Sequence, residues 1–576
     1  MPRPDLPSST PVLIVGGGPV GLLTSILLKA QGIDNRVVER RIATQVAPAA
    51  HVINARTFEI LRAAGVDKTR IESACQPPGN GWVRWVSSVT GEELAHIPFE
   101  RQNQIRELDS VTPTPLRNLS QHRLEPILAD HVPELSRGIE WVSAREDADG
   151  VVSVLRDATT GETLEMGSLH LIGADGAGSP VRRWLGIAMQ GPQRLQSLLN
   201  IHVEANLRSL VADRPATLYW IINPDIGGIY VAHDIDCTWV YAHPWNPDTE
   251  RLEDYTIERC EALFRRGLGA EAGPITVRSI APWTLSCQIA DGYRSGRTFL
   301  VGDAAHRFPP TGGMGLNTGA VDAQNLAWKL AAFLHGWADA AILDSYEAER
   351  RPIAQANAQQ SLENAMKLFE VAIALGADAD PAVSHANFLK TMATPESRAR
   401  ASAAAEEQAE HFDMLGLQLG FVYPASAGLV LDDGTEPVLP ADVVRDYLPN
   451  TRPGARLPHA WIEREGQRLS TLDLIPLDRF VLLTSSRDLA AAGEDLKTEG
   501  TAPLDVVFFG REVHDIDGNW ARVSGLPASG ALLVRPDQHV GWRTFQGGDE
   551  AIRSLRAALE KMTGRTAAAA SPPASA

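Results

Sequence analysis

Residues 11–21 read PVLIVGGGPVG, an apolar run that leads directly into a glycine-rich turn. The first five residues are typical of a buried parallel strand, because both faces of such a strand are covered. Residues 19–31 then carry the apolar spacing of a helix that Gly32 ends, and residues 36–39 form a second short strand. Strand, turn, helix and strand make one βαβ unit, which predicts an α/β fold of the Rossmann type.

The turn in this unit has the G-x-G-x-x-G pattern of dinucleotide-binding proteins. Gly16 permits the tight turn, Gly18 lets a pyrophosphate approach the backbone, and Gly21 lets the helix pack closely on the strand. The helix begins at Pro19, and its N-terminus offers free N–H groups and the positive end of a dipole to phosphate. Glu39 follows at the end of the second strand and can accept hydrogen bonds from ribose hydroxyls. The motif alone does not distinguish FAD from NAD.

Two further glycine motifs follow strands later in the chain. An Asp-Gly turn at 175–176 fits an ordinary loop as well as a ligand site. A Gly-Asp pair at 302–303 ends a later strand, where the acidic side chain can bind the hydroxyls of a polyol. Residues 309–317, PPTGGMGLN, allow close approach of the backbone to a flat ring, and a helix predicted from about 318 to 336 points its N-terminus at that ring. Such a helix end would stabilise the negative charge of a reduced flavin.

Composition limits the class of protein. The chain has 576 residues, too many for one hydrophobic core, so two or three domains are expected. Its net charge of −18 argues against nucleic acid or an anionic membrane as the main partner. No apolar run approaches the ~20 residues of a membrane span, and the first residues lack the apolar core of a signal peptide. The four cysteines form no C-x-x-C pair and no zinc spacing, so we expect a cytoplasmic protein without a metal site.

The residue pattern of the sequence changes three times after the first βαβ unit. Four strand-like segments between about 190 and 285 predict an antiparallel sheet inserted between parallel-sheet segments. Ala-rich helices follow, and then three apolar strands indicate a separate C-terminal α/β domain. We therefore assign 10–75, 110–190 and 285–355 to a dinucleotide-binding domain, 76–109 and 191–284 to a substrate-binding domain, 356–424 to a helical connector, 425–563 to the C-terminal domain and 564–576 to a disordered tail.

In this order and spacing the three motifs resemble those of the p-hydroxybenzoate hydroxylase superfamily, the group A flavin-dependent aromatic hydroxylases. The resemblance covers about residues 10–360. It is closer to the branch of 2,4-dichlorophenol 6-monooxygenase and 2-hydroxybiphenyl 3-monooxygenase, and that branch ends in a thioredoxin-like domain. No C-x-x-C is present here, so we expect that domain to be structural or oligomeric rather than redox-active. The runs shared with the branch lie at 50–61, 123–128, 325–330, 452–461 and 470–473.

The resemblance implies an enzyme that uses bound FAD, NADPH or NADH, and O2 to hydroxylate a phenol-, naphthol- or biphenylol-like substrate. It implies attack ortho to the substrate hydroxyl through a flavin C4a-hydroperoxide. Because one dinucleotide fingerprint is present, NAD(P)H is expected to bind transiently. We also expect a homodimer. The cofactor-binding roles fall on Gly16, Gly18, Pro19, Gly21, Glu39, Arg40, Gln121, Asp175, Gly302, Asp303, Pro309, Gly312, Gly313, Met314, Gly315, Leu316 and Asn317.

The branch also implies a catalytic base at His51. A neutral imidazole can accept the proton of a phenol as the transition state forms, and a phenolate is far more electron-rich than a phenol. From its own sequence context, His51 also fits an ordinary loop histidine. Two departures concern its surroundings: Ala49 replaces an arginine common in the branch, and Asn118 stands where the biphenyl enzyme has an aspartate. An asparagine can hydrogen-bond imidazolium but cannot stabilise it by charge.

The segment around 230–245 is shorter than in the biphenyl enzyme, which predicts a rebuilt substrate-facing sheet. Its aromatic side chains, which include Tyr219 and Tyr241, suggest an apolar pocket for an uncharged aromatic alcohol, although strand alternation places only some of them on the ring-binding face. The predicted substrate contacts are Asn118, Trp220, Tyr230, His233, His243 and Pro310.

Three alternatives remain open at this point. The same scaffold also supports Baeyer–Villiger or other oxygenation of a polycyclic aromatic, and flavin-dependent halogenation. Halogenation needs a lysine between flavin and substrate, and the Trp-rich run at 81–85 only superficially resembles a halogenase motif. A flavin-binding protein without catalytic activity is the third alternative, which the changes at Ala49 and Asn118 slightly favour.

Overall fold

A computed structural model describes residues 6–76, 81–98, 105–425 and 429–565, so the predicted tail lies almost entirely outside the described residues. The helices are α1 Pro19–Ala30, α2 Ala55–Ala63, α3 Lys68–Ala74, α4 Ile105–Val111, α5 Gln121–Ala129, α6 Pro180–Trp184, α7 Arg208–Val211, α8 Ile257–Leu268, α9 Met314–Leu334, α10 Ala341–Ala374, α11 Pro381–Ala393, α12 Pro395–Glu406, α13 Leu415–Leu419, α14 Arg487–Glu499, α15 Asn519–Ser524 and α16 Asp549–Thr563. The strands are β1 Ser9–Val15, β2 Asn35–Glu39, β3 Val52–Ile53, β4 Trp82–Val86, β5 Glu93–Pro98, β6 Arg117–Asn118, β7 Leu135–Arg137, β8 Ile139–Glu146, β9 Val151–Asp157, β10 Thr163–Gly173, β11 Met189–Gln190, β12 Gln196–Glu204, β13 Leu218–Ile221, β14 Ile229–Asp234, β15 Thr238–Pro244, β16 Thr276–Leu285, β17 Gln288–Ala290, β18 Arg294–Ser295, β19 Thr298–Leu300, β20 His306–Arg307, β21 Trp461–Arg464, β22 Gln467–Ser470, β23 Phe480–Thr484, β24 Leu504–Phe508, β25 Val513–Asp515, β26 Ala531–Val534 and β27 Val540–Thr544.

The Rossmann-type unit predicted at the start of the chain is confirmed. Strand β1 pairs in parallel with β10 on one side and β2 on the other. These strands belong to an eight-stranded sheet with the order β18-β19-β10-β1-β2-β7, to which β9 and β8 attach beside β10. Helix α1 ends just before Gly32, whose φ of 75° allows the left-handed turn that leads into β2.

The inserted sheet is also confirmed, with one departure from the expected pairing. Its seven strands have the order β16-β12-β15-β14-β13-β4-β5. All neighbours are antiparallel except β13 and β4, which run parallel. The β4–β5 hairpin comes from a separate insertion, so no tight turn forces β4 to run opposite to β13.

The C-terminal α/β domain has the thioredoxin-like arrangement expected. Its four-stranded sheet has the order β24-β23-β26-β27, in which β23 and β24 are parallel and β26 is antiparallel to both of its neighbours. Helices α14 and α16 pack on this sheet. The last cysteine of the chain is Cys287, so the domain contains no thiol that could form a redox pair.

One helix differs from its predicted start, and another crosses a proposed domain boundary. Helix α9 begins at Met314, four positions before the expected start, because Gly313 takes the left-handed conformation (φ 61°) at its N-cap. Helix α10 spans 34 residues and includes part of the segment assigned to the connector. Among the described residues, no helix combines the length and the apolar character needed to cross a bilayer. The proposed domain boundaries stay predictions.

A buried ionic cluster joins the C-terminal domain to the back of the first domain. Both carboxylate oxygens of Glu349, on α10, accept hydrogen bonds from Arg535 at 2.6 and 2.8 Å, and Lys329 donates to the same carboxylate at 2.7 Å. All three side chains are fully buried. Burial alone would raise the pKa of Glu349, but the charges of Arg535 and Lys329 outweigh it and hold that pKa below its usual range.

We predict that Glu349→Gln lowers the free energy of unfolding by about 3 kcal/mol, because it leaves Lys329 and Arg535 buried with less compensating charge. The midpoint of denaturant-induced unfolding measures the loss. Glu165→Gln is the control, since Glu165 pairs with Arg145 on the surface and its loss should leave the midpoint essentially unchanged. Equal midpoints for the two variants would contradict a structural role for the buried cluster.

Candidate active site

A cleft of about 1990 Å³ opens between the glycine motifs of the first domain and the inserted sheet. A pocket for one drug-sized ligand occupies roughly 300–1,000 Å³, so this cleft has room for a dinucleotide and a second molecule. The predicted cofactor residues that line it are Gly16, Gly18, Pro19, Glu39, Arg40, Gln121, Asp175, Asp303, Pro309, Gly312, Gly313, Met314, Gly315, Leu316 and Asn317. Gly21 and Gly302 do not line it.

The three glycines of the first turn serve different physical needs. A Cβ on Gly16 would lie 2.2 Å from the carbonyl oxygen of Ala174, and a Cβ on Gly21 would lie 2.0 Å from that of Gly16. Packing of the protein therefore excludes a side chain at both positions. A Cβ on Gly18 would meet no atom within 4 Å, because this glycine faces the open cleft.

Glu39 is fixed by the turn that precedes α1. Its carboxylate accepts hydrogen bonds from the backbone N–H groups of Gly17 and Arg41, both at 2.8 Å, and Arg41 Nε donates to it at 3.1 Å. Burial acts to raise the pKa of Glu39, but these hydrogen bonds outweigh it and hold the pKa below its usual value. Glu39 therefore remains an ionised acceptor at the edge of the cleft. The neighbouring Arg40 is exposed there.

Asp175 and Asp303, the acidic residues of the other two glycine motifs, have different surroundings. Asp175 accepts a hydrogen bond from the backbone N–H of Val181 at 2.9 Å and so fixes the start of α6. Asp303 faces the cleft beside the first turn of α9 and hydrogen-bonds to no other described residue. Asp303 is exposed to the cleft, and desolvation by the surrounding protein raises its pKa. A ligand hydroxyl would be a favourable partner for its carboxyl group.

A carboxylate that the sequence analysis missed holds this motif in place. Asp322, on α9, is fully buried and accepts hydrogen bonds from the Gly302 backbone N–H at 3.2 Å and from Arg350 Nε at 2.8 Å. It also lies 2.7 Å from His306 Nε2. The available signal was an acidic residue in an otherwise apolar part of the helix, but its partners on three other segments could not be read from the sequence.

Asn317 ties α9 to the segment that carries His51. Its amide donates to the carbonyl oxygens of Val52 and Gly313 and accepts from the Asn54 N–H and the Thr57 hydroxyl, at distances from 2.6 to 3.0 Å. The side chain is therefore engaged with protein on all sides. This placement makes Asn317 an anchor of the site as well as a wall of the cleft.

His51 lines the cleft and lies next to the short β3–β6 pair. Its Nδ1 lies 3.0 Å from Oδ1 of Asn118, so with Oδ1 as acceptor the proton sits on Nδ1 and Nε2 is left as the acceptor. Burial lowers the pKa of His51 to about 4, partly offset by this hydrogen bond. His51 is thus neutral at physiological pH. Asn118 itself does not line the cleft, so its position does not support the predicted contact with substrate. It contacts His51 instead.

The inserted sheet turns one face to the cleft, and alternation decides which side chains reach it. Trp220 and His233 lie on that face, and the His233 ring lies 5.2 Å from the His51 ring. Pro310 lines the cleft from the opposite side. We use the name cleft floor for the following side chains of β12–β15, all of which line the cleft: Leu198, Asn200, His202, Leu218, Trp220, Ile229, Val231, His233, Val240, Ala242 and Pro244.

Two predicted substrate contacts lie on the other face of this sheet, and the expectation for them is wrong. Tyr230 stacks on Tyr241 at 4.5 Å and donates its hydroxyl to the carbonyl oxygen of Phe264 at 2.6 Å. His243 lies 3.2 Å from the Tyr241 hydroxyl. Tyr219 is buried in the same layer. One-residue alternation places all four behind the floor.

Structural features that do not depend on the motif sequences also indicate that the cleft fits FAD. The N-termini of α1 and α9 both border it, and no side chain caps either first turn, so backbone N–H groups remain for a ligand. Asp303 supplies an unpartnered carboxyl group, and the space beside Gly18 is open. Phosphate, polyol and ring components thus each find a suitable partner.

We predict that Gly18→Ala and Gly21→Ala separate ligand binding from folding. A methyl group at position 18 enters the cleft, so the apoprotein should keep its unfolding free energy within about 1 kcal/mol while FAD binds at least ~10-fold more weakly. A methyl group at position 21 strikes backbone, which should cost the apoprotein about 1–3 kcal/mol or more. Denaturant unfolding and FAD titration measure the two quantities, and the reverse pattern would refute this assignment.

Comparisons with known proteins agree with this geometry. The family model for an FAD binding domain matches residues 9–361, and the model for the C-terminal domain of aromatic-ring hydroxylases matches residues 450–566. A protein of Streptomyces halstedii that carries the name of a polyketide hydroxylase is 36% identical, over 94% of each chain. The 2,4-dichlorophenol 6-monooxygenase of Delftia acidovorans is 32% identical, over 96% of this chain and 98% of the relative.

A solved structure is similar over nearly the whole chain. The flavin-dependent monooxygenase PieE, in complex with FAD and substrate, superposes with a TM-score of 0.89 at 34% identity, over 97% of this chain and 100% of the other. The resemblance inferred from the sequence motifs is therefore confirmed. This chain belongs to the FAD-dependent aromatic-ring hydroxylases, enzymes that consume NAD(P)H and O2.

Proposed function

We propose that this enzyme hydroxylates an uncharged phenolic substrate ortho to its hydroxyl, with His51 as the base that removes the phenol proton. The observation that carries the proposal is the pairing of His51 with Asn118, which leaves a neutral ring nitrogen as acceptor beside an apolar floor. A homodimer and a cytoplasmic location stay predictions.

In this proposal the motif residues hold FAD in the roles assigned from the sequence. The uncapped first turn of α1 and the open space at Gly18 would receive the pyrophosphate, Glu39 the ribose, and Asp303 the ribityl chain. The first turn of α9, from Met314, would lie beside the flavin ring. When bound, FAD would provide the redox chemistry, which is to accept electrons from NAD(P)H and to activate O2.

His51 acts on the substrate. With Nδ1 held by Asn118, a phenol hydroxyl can donate to Nε2 and lose its proton there as the ring becomes electron-rich. The imidazolium formed would lie beside a phenolate, and their attraction offsets part of the cost of charging a buried histidine. Asn118 is a positioning residue in this account, because it reaches the substrate only through His51.

The cleft floor orients the ring and excludes water. Leu218, Val231 and Val240 pair with one another across three neighbouring strands of the floor. No floor residue carries a fixed positive or negative charge. Burying a charged substrate group on this surface would be costly, since no described floor side chain would neutralise it. The floor therefore favours a neutral aromatic alcohol over an aromatic acid.

The names of several relatives favour a polycyclic phenol within this class. A relative in Streptomyces glaucescens is a tetracenomycin A2 monooxygenase-dioxygenase, 33% identical over 96% of this chain. A cleft that holds FAD and a second molecule is compatible with fused rings. A flavin-binding protein without catalytic activity would instead show NAD(P)H oxidation that no phenol, naphthol or biphenylol stimulates.

We predict that His51→Ala lowers kcat/KM for a phenol by about 10²–10⁴-fold at pH 7. The deficit should shrink as the pH approaches ~10, where the free phenol ionises without help. Product formation measured across this pH range is the test. His122→Ala is the matched control, because His122 is a nearby histidine that does not line the cleft and its loss should leave the profile unchanged. A constant deficit at every pH would reject His51 as the base.

We predict that Asn118→Asp moves the acid limb of the same pH profile upward. A carboxylate beside Nδ1 stabilises imidazolium and raises the pKa of His51 from about 4, so the base is protonated and inactive over a wider acidic range. The variant should be impaired at pH 5 and at least as active as the native enzyme at pH 8. Asn118→Ala, which leaves Nδ1 without its acceptor, should be slower at both pH values. An unshifted limb in Asn118→Asp would show that this pair does not set the protonation of the base.

A further inference from the structure

A second polar group faces the cleft floor, at the end away from His51. His411 ends a 3-10 helix at Glu407–His411, in the helical connector, for which the sequence analysis predicted no function. Its ring lies 6.3 Å from the Trp220 ring in an edge-on arrangement and stacks on Phe412 at 4.3 Å. His411 and Trp220 both line the cleft.

The polar atoms of this pair have no partner within the described part of the chain. Trp220 Nε1 and His411 Nδ1 are buried without a hydrogen bond. His411 is only 4% exposed. Buried polar side chains in folded proteins are almost always hydrogen-bonded, and exceptions call for a missing partner. Because both residues line the cleft, a ligand in the cleft is the natural partner.

The register of the floor shows how far apart its two polar ends lie along the strands. His233, beside His51, lies four positions after Ile229 on β14, and Ile229 pairs with Trp220 on β13. At about 3.3 Å per residue, the Cα positions of Ile229 and His233 lie roughly 13 Å apart along the strand. Leu218 and Val231 pair with each other between them, so the intervening surface is apolar. The two ends of the row are therefore farther apart than the length of a single phenol ring.

We propose that His411 and Trp220 form a second substrate subsite, which receives a neutral oxygen, hydroxyl or carbonyl, at the end of the substrate remote from the phenol. The subsite rests on the proposed function for the identity of the phenol end. Trp220 supplies one N–H donor, and the neutral imidazole supplies one donor and one acceptor. The substrate is then at least two fused rings long and oxygenated at both ends.

The electrostatics of the subsite match a neutral oxygen rather than an anion. Burial lowers the pKa of His411 to about 3, so its ring carries no charge at physiological pH. The floor around it has no fixed charge either. A carboxylate there would lose its hydration without gaining a counter-ion.

The test compares 2-naphthol with 2,6-dihydroxynaphthalene, which differ only in the remote hydroxyl. Dissociation constants come from the change in flavin absorbance when each compound is added to the oxidised holoenzyme, so no turnover is needed. The native enzyme should bind the diol roughly 10-fold or more tightly than 2-naphthol. His411→Leu should bring this ratio below about 3-fold, and Trp220→Phe, which keeps a ring but removes the N–H, should lower it in the same direction.

His170→Leu is the matched control. His170 is also a buried histidine with an unpartnered Nδ1, but it packs against Phe299 and Phe333 in the first domain and does not line the cleft. Its replacement should leave the ratio of dissociation constants unchanged. A ratio near one in the native enzyme, including binding of neither compound, overturns the proposal. So does an unchanged ratio in both His411→Leu and Trp220→Phe; if one of them fails to fold, the other decides.

The result of this binding test does not depend on whether the enzyme hydroxylates either compound. Preferential binding of the diol that depends on His411, without any hydroxylated product, would support the subsite and refute the reaction. Hydroxylation of both compounds with equal affinity would support the reaction and refute the subsite.

Discussion

The carboxylate of Asp322 is the constraint on which the cofactor side of the cleft depends. It is fully buried, and it holds the backbone of Gly302, the ring of His306 and the guanidinium of Arg350 at one point. A buried ion is tolerated only when its charge and hydrogen-bonding capacity are met, so each of these segments is fixed relative to α9. The position of Asp303, one residue after Gly302, follows from this arrangement. Arg350 continues the network to Tyr423, and the guanidinium of Arg535 lies over the same tyrosine ring.

That connection explains what a thioredoxin-like domain without a thiol contributes to a hydroxylase. Arg535 enters from the C-terminal domain and meets Glu349, the residue next to Arg350 on α10. Arg56, on the helix that follows the His51 segment, reaches the backbone of Asp537 and the side chain of Gln538 in the same loop. The C-terminal domain therefore braces α2 and α10 from behind, and both border the segments that form the site.

The sequence was sufficient to predict the elements whose structure depends on local residue spacing. The glycine turn, α1 and β2 follow from short-range patterns, and the structure adds that Gly16 and Gly21 are required by contacts with backbone oxygens. The predicted start of α9 was wrong because the helix follows a left-handed conformation at Gly313. A glycine permits this conformation but does not require it, so the sequence alone does not fix the start. Tyr230 and His243 were misassigned because strand alternation has two phases and composition does not select between them. Asp322, Glu349 and His411 were missed because their partners or neighbours come from distant segments.

The resulting picture is of an apolar floor between neutral histidines, facing the cofactor motifs across one cleft. We propose that the enzyme transfers one atom of O2 to a phenolic ring held on that floor. The most direct measurement is the mass of the product formed under ¹⁸O2, with the holoenzyme, NAD(P)H and a fused-ring phenol. We expect a product that carries one ¹⁸O atom on the ring. NAD(P)H oxidation that yields only hydrogen peroxide with every such phenol, or an oxygen derived from water, would contradict it.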